Sequence, residues 1–386
     1  MSEEPVEPVE LRAVGRTQLE PVVRQALRCS TARVCDWEWQ TLSYQSFLPD
    51  RTLARFTGSA LIDGQQAVPW STVLKLFRRP ASGAREILAY RSSLLADLPG
   101  PLRAPRVLGI DEDEAGAVWL WLEEVSDLYA HRWPIEQYGL AARHLGAFNG
   151  AYLTSRALPT DPWLKAWLDR HWAEHHAELE RTPHAWAELQ HVMQLPQVQR
   201  VFGVTIASRT AQLLEDQAQF VRTLSLLPQT LCHHDAALAN LFAGRRGDGH
   251  METVAIDWEN IGLGTVGADI ATLVFGTMRR CEFDAERATE LDQVVFAGYV
   301  AGLHEAGWQG HVEHVRLGYT TAVALRWSLL ATTLRILVEG ALPIRTSQGW
   351  RVSPDDIARQ WVRLSTFLLE RADEARRLIA DGPPAH

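Results

Sequence analysis

The sequence predicts an α+β protein with antiparallel strands gathered in its first third and helices filling most of the remainder. Three observations carry that expectation. Runs 34–43, 51–62 and 68–77 are rich in Trp, Phe, Val and Leu, and the turn pair Asp63-Gly64 joins the last two. From Pro134 onward the apolar residues take helical spacing, first over 135–153. Between helices stands the stretch around which the chain is organised. Residues 230–242 read Thr-Leu-Cys-His-His-Asp-Ala-Ala-Leu-Ala-Asn-Leu-Phe, and 254–259 read Val-Ala-Ile-Asp-Trp-Glu.

Taken in order, residues 1–12 are expected to be a disordered tail, 13–125 a first lobe and 126–386 a second. Leu19, Val22, Val23, Ala26 and Leu27 give 17–27 an apolar helical face. Lys75 lies in the third strand run between Leu74 and Leu76. A lysine inside a buried strand is costly unless an anion meets it. Segment 85–98 reads as a helix with Glu86 near its start. A strand lysine and a glutamate on the next helix suit an ion pair that holds the ammonium toward nucleotide phosphates. The plainer alternative is a lysine snorkelling from an edge strand. Runs 106–110 and 117–122 complete the sheet. The segment after them, 123–125, is a candidate hinge where backbone groups of Glu123 and Val125 could meet an adenine edge.

Helices are expected at 162–179, 198–226, 269–278, 284–306, 313–339 and 354–380, with one strand at 253–257. Asp269 at the start of its helix reads as a cap. Trp163, Trp167 and His171 fall one turn apart and read as core packing. His171 to His175 spells H-x-x-E-H, a metalloprotease helix signature. Fourteen histidines make such matches cheap, and a protease leaves 230–259 unexplained.

The totals narrow the function. A chain of 386 residues can bury a large core in two lobes. A formal net charge of -9 argues against a nucleic-acid partner, which calls for a basic face. No apolar run has transmembrane character, and the acidic start Met-Ser-Glu-Glu-Pro lacks the regions of a signal peptide. A cytoplasmic protein without a membrane partner is expected. Cys29, Cys35, Cys232 and Cys281 show no paired spacing and read as small apolar fillers. Lys75 and Lys165 are the only lysines among 38 basic residues, which marks Lys75 as kept for a reason that arginine does not serve.

His233, Asp235 and Asn240 stand in the order H-x-D-x4-N, and Asp257 ends a short apolar run. Phosphoryl transfer needs such a set: one carboxylate to orient the attacking hydroxyl, and an amide oxygen with a second carboxylate to hold magnesium against the phosphates. The blander reading is a turn whose Asp and Asn cap local backbone groups.

Lys75, Glu86, the H-x-D-x4-N run and Ile256-Asp257 together resemble the aminoglycoside phosphotransferase and choline kinase family, small-molecule relatives of the protein kinases. The resemblance covers about 34–340. It is strongest at 227–235, Leu-Pro-Gln-Thr-Leu-Cys-His-His-Asp, and at 255–258, Ala-Ile-Asp-Trp. It implies a bilobal protein-kinase-like fold with a small antiparallel first lobe and a larger, mostly helical second lobe. The implied reaction moves the γ-phosphate of ATP to a hydroxyl of a small molecule, with Mg2+ as the metal. In that scheme Asp235 orients the acceptor hydroxyl and takes its proton, and Asn240 and Asp257 bind Mg2+. Lys75 contacts the α- and β-phosphates, with Glu86 positioning it. His233, grouped with Asp235 at the catalytic loop, keeps the loop in shape through backbone hydrogen bonds.

Two departures stand out. His234 fills a place between His and Asp that the family usually gives to a small residue. The turn 44–50, Tyr-Gln-Ser-Phe-Leu-Pro-Asp, contains no glycine, so close backbone approach to phosphates is harder and the Ser46 hydroxyl is the expected donor. Glu282, Asp284, Glu286, Glu290, Asp292 and Glu305 suggest an amine-bearing acceptor such as an aminoglycoside, although most of them can form a solvated helix face. Two other readings compete. One is a kinase-like binding protein without turnover. The other is a metal-dependent oxygenase built on His233 and Asp235, which needs a many-stranded barrel.

Overall fold

The computed structural model describes residues 9–42, 50–79, 84–164, 209, 212–213, 215–326 and 352–382. The described residues fall into two compact units. One runs up to Asp97 and includes Ala104–Ser126; the other comprises Leu98–Arg103 and the chain from Asp127 onward.

The first unit begins with α1 (Val9–Arg12) and α2 (Arg16–Leu27), followed by β1 (Arg33–Thr41), β2 (Arg51–Ile62), β3 (Gln66–Phe77) and α3 (Ala84–Arg91). After β4 (Leu102–Arg103), which belongs to the second unit, come β5 (Val107–Glu112) and β6 (Val118–Glu123). The five strands form one antiparallel sheet in the order β1-β2-β3-β6-β5. Successive side chains of a strand point to opposite faces. On β3 this sends Trp70, Leu74 and Leu76 into a core shared with Leu19, Val22 and Val23 of α2 and with Phe56, Trp119 and Trp121. Lys75 therefore projects from the other face, and β3 is a central strand, which removes the snorkelling alternative.

The second unit opens with α4 (Ile135–Thr154) and, after the undescribed segment, α5 (Gln217–Leu226). Four short strands follow: β7 (Gln229–Cys232), β8 (Leu241–Arg245), β9 (Met251–Ala255) and β10 (Gly262–Thr265). They pair as two small sheets, β10-β7 and β4-β9-β8. The helices α6 (Ala268–Arg279), α7 (Ala288–Glu305), α8 (Val312–Leu325) and α9 (Pro354–Asp381) complete the unit. The backbones of α4 and α7 touch. A Cβ on Gly146 would lie 2.1 Å from the Tyr299 carbonyl oxygen, and one on Gly302 would lie 1.9 Å from that of Arg143. That approach brings Asn149 and Tyr299 under the loop 233–240.

The expected α+β class is observed, with an antiparallel first part and a mostly helical second part. Several boundaries differ. The expected tail does not extend to 9–12, where a helical turn buries Leu11 and pairs Glu10 with Arg78 at 2.7 Å. Helix 85–98 ends as α3 at Arg91. The strand expected at 253–257 stops at Ala255, leaving Asp257 in a left-handed conformation. β7, β8 and β10 had no expectation, being four or five residues long with glycine in two of them. Of the four cysteines, expected as apolar fillers, only Cys232 is buried. Ser46, Trp167, His171 and His175 lie outside the described residues.

Candidate active site

The loop 233–240 is fixed by hydrogen bonds to its own backbone. Asp269, fully buried in the first turn of α6, accepts the His233 N–H at 3.1 Å and the His234 N–H at 2.7 Å. It does not cap its own helix, whose N-terminal position is Gly267 without a side-chain bond. Asn149 of α4 donates to Asp269 at 3.1 Å and to the Leu231 carbonyl at 2.7 Å, while its own side-chain oxygen accepts the Tyr299 hydroxyl. Thr272, one turn along α6, donates its hydroxyl to the His234 carbonyl at 3.2 Å. These bonds satisfy buried backbone groups that would otherwise be costly. They also let His234 hold a left-handed φ of 64°.

His233 links the loop to the second carboxylate. The Asp235 N–H can only donate, so Nδ1 of His233 accepts it at 3.1 Å, and the ring proton sits on Nε2, which donates to the Ile256 carbonyl at 2.9 Å. The imidazole is neutral in this arrangement and rests on the Trp258 ring with centroids 4.4 Å apart. Strand register supplies a second link. Leu241 pairs with Ala255, so their neighbours Asn240 and Ile256 meet, and the Ile256 N–H donates to the Asn240 carbonyl at 2.9 Å. Asp257 follows at once, with φ 61°, a conformation that Asp tolerates better than most residues.

Within this frame both side-chain donor contacts of Asn240 go to Asp235, at 2.9 Å each, one to its carbonyl and one to its carboxylate. The other end of the amide, Oδ1, is buried and has no hydrogen-bond partner among the described residues. A buried acceptor left bare is costly unless a cation completes it. Burial first, and then the charge of Asp257, raise the Asp235 carboxyl to about 6, against the opposing pull of Arg280, Arg326 and the Asn240 hydrogen bond. An amide oxygen and carboxylates, with no soft donor, suit a hard divalent cation such as Mg2+. Asn240 and Asp257 fit such an ion on that chemistry.

In the other unit, Lys75 donates to both oxygens of Glu86, at 2.7 and 3.0 Å. The lysine side chain is 16% exposed and the glutamate fully buried. Glu123 ends β6, and Val125 lies two residues further on. The Glu123 N–H already donates to the Arg106 carbonyl, and its carboxylate accepts from Arg106 Nε at 3.2 Å.

A family model described as the phosphotransferase enzyme family matches residues 57–309. The chain belongs to that family. No curated protein matches the sequence significantly. Among solved structures, this phosphotransferase is similar to the amicoumacin kinase hAmiN in complex with AMP-PNP, Ca2+ and Ami, at 14% identity and a TM-score of 0.48, covering 94% of this chain and 95% of that one. It is also similar to choline kinase from Cryptosporidium parvum Iowa II, at 13% identity and TM-score 0.47, covering 90% and 91%. A third is aminoglycoside phosphotransferase APH(4)-Ia, at 16% identity and TM-score 0.44, covering 96% and 100%.

Sequence reasoning gave Asp269 of the phosphotransferase the wrong job and missed Asn149. The available signal was rarity: the chain has three asparagines, and Asn149 sits inside an apolar helix run. Of the six acidic residues downstream of Asp257 expected as an amine-binding array, five are paired with arginines. Asp284 and Glu286 pair with Arg363, Glu290 with Arg287, Asp292 with Arg316 and Arg371, and Glu305 with Arg143. Cys232, His234 and Asp269 bring ligand atoms within 4.8 Å of one another. Both Asp269 oxygens already accept N–H groups and burial pushes the Cys232 thiol up, so this cluster supports the loop and does not suit a metal. Among the described residues no helix is long and apolar enough to cross a membrane.

Proposed function

We propose that this phosphotransferase is an ATP-dependent kinase that moves the γ-phosphate to a hydroxyl of a small molecule. The observation that carries the reading is the bare Oδ1 of Asn240, held by hydrogen bonds beside Asp235 and the turn that bears Asp257. Mg2+ bound at Asn240 and Asp257 would supply neutralisation of the phosphate charge. Asp235 would orient the acceptor oxygen and take its proton, and a carboxyl held near 6 is matched to that task at neutral pH. Lys75, steadied by Glu86, would meet the α- and β-phosphates, and backbone groups at Val125 the adenine. Ser46 would stand in for glycine amides at the nucleotide. His233 would keep Asp235 and Asp257 in register without exchanging protons. Such catalysis is positioning and charge neutralisation more than covalent chemistry.

The test is ADP release from Mg-ATP across a panel of hydroxylated small molecules, with EDTA as control. Acceptor-dependent, EDTA-sensitive release is expected, and its absence across the panel counts against the kinase. The glycine-free turn 44–50 favours a second reading, a binding protein without turnover. That reading, in which the turn no longer supports nucleotide, predicts neither a thermal shift with Mg-AMP-PNP nor ADP release with any acceptor.

A further inference from the structure

Around Asp235 stand the negative charge of Asp257 and the positive charges of Arg280 and Arg326. One face of α6 follows the loop 233–240: Asp269, Thr272 and Gly276 recur at helical spacing of three and four, and Arg280, the residue that caps the helix end, comes four positions later. Asp269 holds the His233 and His234 amides and Thr272 the His234 carbonyl. A Cβ on Gly276 would lie 2.9 Å from that of Ala237.

Arg326, at the end of α8, donates through Nη2 to the hydroxyl of the same Thr272. It is thus two hydrogen bonds from the peptide that enters Asp235. Its Nε is buried and has no partner among the described residues. Among those residues neither Arg280 nor Arg326 forms an ion pair there, whereas Asp284, Glu286, Glu290, Asp292 and Glu305 are all taken by other arginines.

The C-terminal dipole of α6 amounts to about half a negative charge, which cannot balance two guanidinium groups. Burial lowers Arg326 only to about 10, so it stays charged at neutral pH. Asp235 and Asp269 act on Arg326 from the side of the loop without an ion pair to it among the described residues, and a bound divalent cation would offset Asp257.

We infer that the acceptor carries an oxyanion, a carboxylate or a phosphate, beside the hydroxyl that is phosphorylated, and that Arg280 and Arg326 receive it. This rests on the kinase reading above. An anionic acceptor gains charge-assisted hydrogen bonds from both guanidinium groups. An aminoglycoside or other polyamine would place its ammonium groups beside two guanidinium groups that form no ion pair among the described residues.

The test uses the full chain and one polyol skeleton in four charge forms: D-gluconate, D-glucose 6-phosphate, D-glucose and D-glucosamine. Thermal shift with Mg-AMP-PNP comes first, and absence of a shift fails the kinase reading by itself. With nucleotide binding established, ADP release is measured for each form. The acid forms are expected to lead, with kcat/KM about tenfold or more above the neutral and amine forms. Comparison of gluconate with the phosphate ester separates the two oxyanions. Equal or greater rates with glucosamine, or no turnover of either acid form, overturn the inference.

Arg280→Gln is expected to raise KM for the acid form about tenfold relative to KM for glucose while leaving KM for ATP unchanged. Arg280→Glu should move the preference toward glucosamine. A change in KM for ATP instead would assign the arginine to the nucleotide and sink the proposal. Arg326→Gln should act like Arg280→Gln if the variant folds, and the Arg280 pair carries the test if it does not.

Discussion

Lys75 and Glu86 close on each other, whereas Asn240 keeps a buried oxygen bare beside Asp235. The first cluster is a lysine from the centre of a sheet meeting a fully buried glutamate from the following helix, and the pair neutralises itself. The second holds two carboxylates close enough that the charge of Asp257 raises Asp235. A self-satisfied pair is a structural unit that can also serve a ligand. A cluster with a bare acceptor and a raised carboxyl is complete only when something binds. The difference teaches which substitutions should injure chemistry and which should injure the fold.

The largest effect should come from Asp235→Asn. The substitution keeps the shape and removes the proposed proton acceptor, so kcat is expected to fall by about 10^2 to 10^4-fold. Nucleotide binding, read by thermal shift with Mg-AMP-PNP, should persist. Wild-type turnover in this variant would mean that Asp235 neither orients nor deprotonates the acceptor.

Asp257→Ala should come next, because it removes the charged group proposed to hold Mg2+, with some added backbone strain from alanine at φ 61°. The variant should lose the extra melting-temperature increase that Mg2+ adds to AMP-PNP, together with activity. A metal titration like that of the wild type would move the cation elsewhere.

Lys75→Ala tests the other cluster, where stability should suffer as much as function. Leaving Glu86 buried without its cation costs about 3–5 kcal/mol, measurable by denaturant unfolding. The double change Lys75→Met with Glu86→Leu should recover most of that loss, since apolar side chains of similar volume can replace a buried pair. Nucleotide affinity should stay low in the double variant. Recovery of AMP-PNP binding along with stability would show that the pair is structural alone.

This contrast also explains what the sequence could reveal. Lys75 and Glu86 were legible because a lone lysine among apolar strand residues is costly and a helix glutamate eleven residues later is its natural partner. The spacing of His233, Asp235 and Asn240 was legible for a chemical reason, that metal and hydroxyl need oxygen donors at short range. Asp269 was not. It lies 36 residues beyond His233, and only the fold brings its carboxylate under the loop. The acids beyond Asp257 misled for the same reason: their arginine partners Arg316, Arg363 and Arg371 are 24 to 79 residues away. Local sequence showed a negative array of six, and tertiary pairing takes up four of them, Asp284, Glu286, Asp292 and Glu305.

Asp269→Asn sharpens the comparison at smaller scale. Asparagine offers one acceptor where Asp269 uses two, so one of the His233 and His234 amides would face an NH2 group. The cost should be about 1–3 kcal/mol, the usual value for a buried donor left unmet. Because those amides position Asp235, kcat should fall along with stability, while the melting-temperature gain from Mg-AMP-PNP should survive.

The smallest effect belongs to the exposed counterpart of these buried contacts. Arg287 and Glu290 pair at 2.7 Å one helical turn apart, with about half of each side chain exposed. Solvent screens such a pair, and holding two long side chains in one geometry costs entropy. Glu290→Gln should therefore leave both the melting temperature and the acceptor preference unchanged, in high or low salt. A clear change in acceptor preference would place Glu290 at the acceptor site after all. It would also undercut the contrast between paired acids and unpaired arginines on which the anionic acceptor rests.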